Sequence, residues 1–459
     1  MGRVDSGMEL PRSDQLRTRF SQMMSDMYKN EVPLYGQLLS IVSDADDKMS
    51  TEHLSPRHRI ERHGAVRLGT ADELRTIKRL FALFNMHPVG YYDLSVVGFP
   101  MHSTAFRPLT SAALANNPFR VFTTLLRPDL IDPSVRSLAE QALSKRCLFS
   151  ERLLRLIQHA ETSAGLSAAD EDDLLSEALD IFRWHQTATV SIEDYKKLSA
   201  GHPMIADIAS FPSAHINHLT PRTLDIDLVQ QTMKDQGIPA KERIEGPPRR
   251  VCDILLRQTS FKALEERVRF VSSNGEFVDG HHTARFGEVE QRGAAVTRKG
   301  RALYDKLLAQ TRAVAAAQGA TDEEYELILH GAFRVFPDEW SVLRAQGLAF
   351  FRYTVTAAGL REARHGGEQQ TLSRLVAYGH VEFEPIVYED FLPISAAGIF
   401  TSNLSSSSQA TTHEAKGDLA LMEASLGCSL EDPTTLYEQM QAESVEECRR
   451  VLGLAMIVV

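Results

Sequence analysis

Twice along this chain a short strand leads into an amphipathic helix and then into three further strands. The first pass begins near Glu61. Gly64–Leu68 reads as a strand, and Thr70 followed three residues later by Glu73 is a capping box that opens a helix. Over 71–85, Leu74, Ile77, Leu80, Phe81 and Phe84 keep helical spacing. Tyr91–Val97, His102–Phe106 and Phe119–Leu126 then carry the β-branched and aromatic content of strands. The second pass opens at His215–Leu219 and continues through a helix over 224–236. Its further strands are expected at Ile254–Leu264, Arg267–Ser272 and Ala284–Glu290. Each pass holds a His-x-x-x-Arg ahead of its helix, His63 to Arg67 and His218 to Arg222. That spacing is common by chance; the shared element order gives it weight.

The rest of the chain is mainly helical in pattern. Residues 13–44 predict a helix whose Leu16, Phe20, Met23, Met24, Met27 and Tyr28 face a core. Residues 135–200 and 300–330 predict further helices, with Glu171, Asp172 and Asp173 on a solvated surface. The Ser-rich stretch 403–411 predicts a loop, and 416–452 alternates helix with turns. The expected organisation is one integrated catalytic unit over 1–459. Within it lie an N-terminal helical segment (1–50), a first module (51–130), a helical insertion (131–205), a second module (206–300) and a mixed C-terminal region (301–459).

Apolar residues make up 43% and charged residues 24% of the 459, which places the chain among globular proteins. A formal charge of −11 gives no footprint for nucleic acid or an anionic membrane. Cys147, Cys252, Cys428 and Cys448 lie far apart without a CxxC pair, so a thiolate zinc site is not expected and the thiols read as reduced. The polar start to Arg17 lacks the apolar stretch of an export signal, and no run approaches the ~20 apolar residues of a spanning helix. The expected location is the cytoplasm. The oligomeric state is left open.

Residues four apart on a strand share a face, so His63 and Arg67 point the same way. An imidazole can bind a metal, and a guanidinium can grip a carboxylate in a bidentate fork. A glutamate from the last strand of the second module would complete two histidines and one carboxylate. That set is the facial triad of non-haem iron(II), although zinc uses the same residue types. Glu288 and Glu290 share a face, and spacing does not choose between them. His215 competes with His218 but falls on the opposite face of a regular strand. His281 and His282, beside Gly280, read as turn residues.

Longer stretches carry a resemblance. Arg62-His63-Gly64-Ala65-Val66-Arg67-Leu68-Gly69-Thr70, Pro88–Ser95, His102–Pro108, His215–Arg222, Phe286–Gly293 and Leu392–Phe400 resemble the motifs of the 2-oxoadipate dioxygenase/decarboxylase family, the hydroxyglutarate synthases of lysine breakdown. The likeness runs over roughly residues 15–455. It implies an α+β fold related to the vicinal oxygen chelate proteins. Two β-α-β-β-β modules would form a central curved sheet around a metal site, with large helical additions. It further implies Fe(II) held by His63, His218 and Glu288. Glu288 is chosen because its spacing to Gln291 and Arg292 matches the Glu-x-x-Gln-Arg segment of hydroxyphenylpyruvate dioxygenases. Arg67 is the implied substrate-binding arginine, and Ile394 and Ser395 match a segment that contacts substrate. The implied reaction takes 2-oxoadipate and O2 to D-2-hydroxyglutarate and CO2. Rival readings keep the scaffold but take another 2-oxo acid or an aromatic substrate, exchange iron for zinc in a hydrolase or isomerase, or reduce the chain to a binding protein.

Overall fold

A computed structural model describes residues 11–49, 55–163, 165–272, 274–362, 369–392 and 417–459. They form two compact units. One holds the described residues of Met1–Lys241, Gln258–Glu290 and Pro393–Leu430; the other holds those of Glu242–Arg257, Gln291–Leu392 and Glu431–Val459. Ile394, Ser395 and the Ser-rich stretch lie outside the described residues.

The strands of the first module are β1 (Arg62–Leu68), β2 (His87–Asp93), β3 (Met101–Arg107) and β4 (Arg120–Leu126). β5 (Thr187–Ser191) comes from the insertion. The second module supplies β6 (His218–Pro221), β7 (Leu256–Ser260), β8 (Glu265–Val271), β9 (Phe277–Thr283) and β10 (Phe286–Arg292). Among the described residues the central sheet has the order β2-β3-β4-β1-β6-β10-β7, curled into a half-barrel. β1 is parallel to β4 and β6 is parallel to β10, while β1 and β6 meet antiparallel. The two modules therefore abut through their first strands, each with its last strand on the outer side. This is the expected α+β architecture of paired modules.

The second module departs from the expected pattern in one respect. β8 and β9 leave the central sheet and form a separate one with β5, in the order β5-β8-β9. The counterpart of β2 shrinks to a single antiparallel bridge between Ala240 and Phe261. His281 and His282 are thus strand residues, not turn residues. β9 pairs with β8 over its whole length, from Glu265 opposite Thr283 to Val271 opposite Phe277. Gly280 serves close packing there, since a Cβ on it would meet the Phe270 ring at 2.8 Å.

Other boundaries move for local reasons. The helix expected over 13–44 is two helices, Arg12–Glu31 and Pro33–Met49. Pro33 has no N–H to continue the first helix and its fixed φ suits the start of the second. β2 starts four residues earlier than expected and contains Pro88, which is tolerated because β2 is the sheet's edge. The helix Ala71–Leu83 begins with the expected capping box, Thr70 with Glu73. Leu16, Phe20, Met24, Met27 and Tyr28 are buried as expected, whereas Met23 is half-buried. Glu171 is buried, not solvated, against Arg12.

The first helix ties the core to β6 and β10. Phe20 packs on Phe84, Phe119 and Phe182 with ring centroids 4.9, 6.2 and 5.9 Å away. The buried Arg17 pairs with Asp14 at 2.6 Å and donates to the carbonyls of Phe84, Ala113 and Asn117. The Tyr28 hydroxyl donates between the carbonyls of Asn217 (2.8 Å) and Phe286 (2.7 Å), at the starts of β6 and β10.

The second unit contains the helices Arg298–Gln318, Asp322–Phe333 and Pro433–Leu452. Its antiparallel pair is β11 (Phe351–Val355) with β13 (Val381–Pro385). A parallel pair joins β12 (Gln369–Thr371) to β14 (Met456–Val458). Among the described residues no helix is long and apolar enough to cross a membrane.

Two structural predictions follow from these contacts. Tyr28→Phe removes a buried donor from two carbonyls and should cost about 1–3 kcal/mol in urea unfolding; an unchanged midpoint contradicts the tie. Burial, with Arg127 nearby, pushes His102 down to about 4, and burial, with Arg67 nearby, does the same to His202. Both folded-state values lie below the ordinary histidine value, so protons favour the unfolded chain. Stability should be complete above about pH 6.5 and fall as pH drops to about 4. A urea midpoint constant across that window would exclude neutral burial of these two rings.

Candidate metal centre

Strand alternation and register place the expected ligands on one face. His63 is opposite Thr220, Ala65 is opposite His218, and Phe286 is opposite His218 on the other side. His63, Ala65 and Arg67 of β1, His218 and Thr220 of β6, and Phe286, Glu288 and Glu290 of β10 consequently share a face. The close approach of β1 to β6 needs a residue without a side chain at Gly64. A Cβ there would lie 2.4 Å from Ile216 Cδ1 and 3.0 Å from the His218 carbonyl oxygen.

His63, His218 and Glu288 are fully buried, with donor atoms within 4.8 Å of one another. His63 Nε2 is 3.1 Å from Glu288 Oε1, and the two imidazoles stand edge to face at 5.5 Å and 88°. Ligands about 2.1 Å from one ion in adjacent positions sit about 3 Å apart, so the His63–Glu288 separation already suits a shared cation. Neither His218 nitrogen has a hydrogen-bond partner among the described residues, nor does Glu288 Oε2. Buried polar atoms left this way are costly unless something polar meets them. A divalent ion coordinated by His63, His218 and Glu288 would engage one His218 nitrogen and the Glu288 carboxylate, and the donor set fits such an ion.

The surroundings separate the two glutamates. Glu290 Oε2 is 3.0 Å from His63 Nδ1, the nitrogen turned away from Glu288. A carboxylate on the far nitrogen fixes the tautomer and leaves Nε2 to coordinate. Glu288 Oε1 accepts from Gln258 Nε2 (2.5 Å) and from Thr220 Oγ1 (3.2 Å), which hold the carboxylate in place. Phe286 stacks on His218 with centroids 4.8 Å apart. Sequence reasoning grouped Glu290 with Glu288 and did not find Thr220, Gln258 or Phe286. The shared strand face was the available signal for Glu290 and Phe286; Gln258 comes from another strand.

The electrostatics fit a cation-binding pocket. Burial opposes charge on His63, but Glu290 and Glu288 outweigh it and raise its pKa. Burial, with His63 and Arg67 nearby, holds His218 well below the ordinary histidine value. Burial raises the Glu288 carboxyl against the opposing pull of His63. A divalent ion held by His63, His218 and Glu288 would stabilise Glu288 in its anionic form.

Arg67 lies on the same face as His63, two repeats of the pleat further on. Its Nη1 donates to Asp207 Oδ2 at 2.6 Å, and both groups are buried. Arg222, its counterpart in the second module, instead joins Arg57 and Arg120 around the buried Glu61, at 3.2, 3.3 and 2.9 Å. The repeated His-x-x-x-Arg thus yields one arginine on the face of His63 and His218 and one in a structural cluster. His215 precedes β6 and turns toward Asp207, with Nε2 3.1 Å from Oδ1.

A family model described as 2-oxoadipate dioxygenase/decarboxylase matches residues 20–403. The chain belongs to the 2-oxoadipate dioxygenase/decarboxylase family. The member from Pseudomonas putida is 50% identical over 96% of this chain and 97% of its own length. That from Escherichia coli is 47% identical over 95% and 98%. The crystal structure of the hydroxyglutarate synthase from Pseudomonas putida in complex with 2-oxoadipate superposes with a TM-score of 0.87 at 47% identity, covering 98% of this chain and 100% of that one. Membership of the 2-oxoadipate dioxygenase/decarboxylase family supports an oxidoreductase.

The two glutamates should respond differently to substitution. Glu288→Ala should abolish stoichiometric metal binding. Glu290→Gln should keep one metal per chain with affinity about 10–100-fold weaker. Chelator competition with a metal count checks both; full binding by Glu288→Ala would exclude it as a ligand.

Proposed function

We propose that this chain is an iron(II)-dependent dioxygenase/decarboxylase that converts 2-oxoadipate and O2 to D-2-hydroxyglutarate and CO2 in lysine catabolism, in the cytoplasm. The observation that carries the reading is the buried two-histidine, one-carboxylate set of His63, His218 and Glu288. It occurs in a chain whose relative, at 47% identity, was crystallised with 2-oxoadipate. His63, His218 and Glu288 would hold the iron on one side and leave its other positions to substrate and dioxygen. Iron(II) in such a set supplies electrons for dioxygen activation and a Lewis-acid anchor for the 2-oxo acid.

The protein's own contribution is placement. Glu290 keeps His63 in one tautomer, and Thr220 and Gln258 keep Glu288 in one rotamer. Arg67 is the proposed clamp for the distal carboxylate, and Ile394 and Ser395 the proposed contacts along the substrate. Fixing both ends of a flexible dicarboxylate presents one carbon for hydroxylation, an effect of orientation. The balance is internal: substrate plus O2 equals 2-hydroxyglutarate plus CO2. One oxygen atom of O2 enters the new carboxylate and the other the hydroxyl. No second oxo acid is consumed.

The test is oxygen uptake by iron(II)-reconstituted protein given 2-oxoadipate, with product mass and chirality recorded. Equal amounts of O2 consumed, CO2 released and D-2-hydroxyglutarate formed are expected. Uptake only with another 2-oxo acid would move the substrate and keep the iron site. No uptake with any oxo acid, with metal bound, would favour a zinc hydrolase or isomerase.

A further inference from the structure

Behind Arg67 lies a chain of buried polar groups drawn from three separate parts of the sequence. Asp207, in the helix Pro203–Ala209, accepts Arg67 Nη1 on Oδ2. Its Oδ1 meets His282 Nε2 at 2.7 Å and His215 Nε2 at 3.1 Å. The other nitrogen of His282, Nδ1, is 2.8 Å from the Tyr195 hydroxyl. Trp184 walls the group, stacked on His282 at 5.9 Å and edge-on to His215 at 4.7 Å. Asp207, His215 and His282 are each no more than 5% exposed.

A buried carboxylate is costly unless donors surround it, and Asp207 has Arg67 on one oxygen and His282 on the other, with the His215 ring close by. Burial alone would raise its pKa, but Arg67, His215 and His282 hold it well below the ordinary value. The anion then faces the guanidinium from one fixed direction. The insertion supplies Tyr195, the helix Pro203–Ala209 at its end supplies Asp207, and β9 supplies His282. The departure of β8 and β9 from the central sheet brings His282 to this place.

We propose that Asp207, backed by His282, His215 and Tyr195, is a positioning residue that orients Arg67 toward the distal carboxylate of the substrate and so sets the preference for dicarboxylic over monocarboxylic 2-oxo acids. This rests on the reading of Arg67 as that clamp. The same three groups, Asp207, His215 and His282, also have the makings of a cation site. The guanidinium on Asp207 Oδ2 already supplies the positive charge there, so one metal per chain is expected, not two.

The experiment compares 2-oxoadipate with 2-oxohexanoate, which keeps the oxo acid and the six-carbon chain but has a methyl group in place of the distal carboxylate. Iron(II)-loaded wild type, Asp207→Asn, Arg67→Ala, the double variant and Tyr195→Phe are assayed under saturating O2, with metal content measured. For Asp207→Asn the KM for 2-oxoadipate should rise about tenfold to a hundredfold while kcat changes little. Its kcat/KM for 2-oxohexanoate should stay near wild type, and the double variant should be no worse than Arg67→Ala. Tyr195→Phe, at the far end of the network, should raise the same KM about threefold and leave the monocarboxylate unaffected; it carries the test if Asp207→Asn does not fold. Equal losses on both substrates, or additive losses in the double variant, would overturn the proposal. So would two metals per wild-type chain. If Arg67→Ala itself keeps the preference for the dicarboxylate, the clamp reading fails first and the positioning role with it.

Discussion

The antiparallel pairing of β1 with β6 is the constraint on which the site depends. It is the seam between the two modules, and it sets His63 and His218 on neighbouring strands with their rings at right angles. Gly64 allows the strands to approach this closely. Parallel pairing of β10 to β6 then carries Glu288 beside Thr220 and Glu290 one pleat beyond. A change that widened the seam would act on all three proposed ligands at once. The ties that brace it, such as Tyr28 to the carbonyls before β6 and within β10, are therefore part of the site's construction.

Around this seam the first unit buries charge in a graded way. Glu61 is surrounded by three arginines and has a structural part, joining β1, β4 and the end of β6. Asp207 is surrounded by one arginine and two histidines. Glu288 and Glu290 lie on the two nitrogen sides of the His63 ring, and Glu288 Oε2 has no hydrogen-bond partner among the described residues. A buried anion with incomplete compensation is expensive in a purely structural role. A cation held by His63, His218 and Glu288 would therefore stabilise the fold at this pocket.

Much of this was legible in the sequence because the signals were local. The capping box at Thr70 and the helical spacing after it fixed the first module, and the i, i+4 relation put His63 and Arg67 on one face. The strand readings also held His218 and Glu288, which lie on β6 and β10. What was not legible depended on long-range pairing. The run around 267–283 has strand character, but only its partner decides which sheet it joins, so His281 and His282 read as turn residues beside Gly280. His215 was read as a member of β6, whereas the strand begins at His218 and leaves it facing Asp207. The distinction between Glu288 and Glu290 rests on which side of the His63 ring each one meets, and a shared strand face carries no information about that. Asp207 itself has no motif; its place emerges when its helix brings it to Arg67 of β1.

His63, His218 and Glu288 are proposed to form a single iron centre together. Anomalous diffraction at the iron edge, on crystals of the iron(II)-loaded chain grown without oxygen, tests it directly. The account predicts one strong peak at bonding distance from both imidazoles and the Glu288 carboxylate, and none beside Asp207, His215 and His282. A peak in that second cluster, or none between His63 and His218 in protein carrying stoichiometric iron, would contradict it.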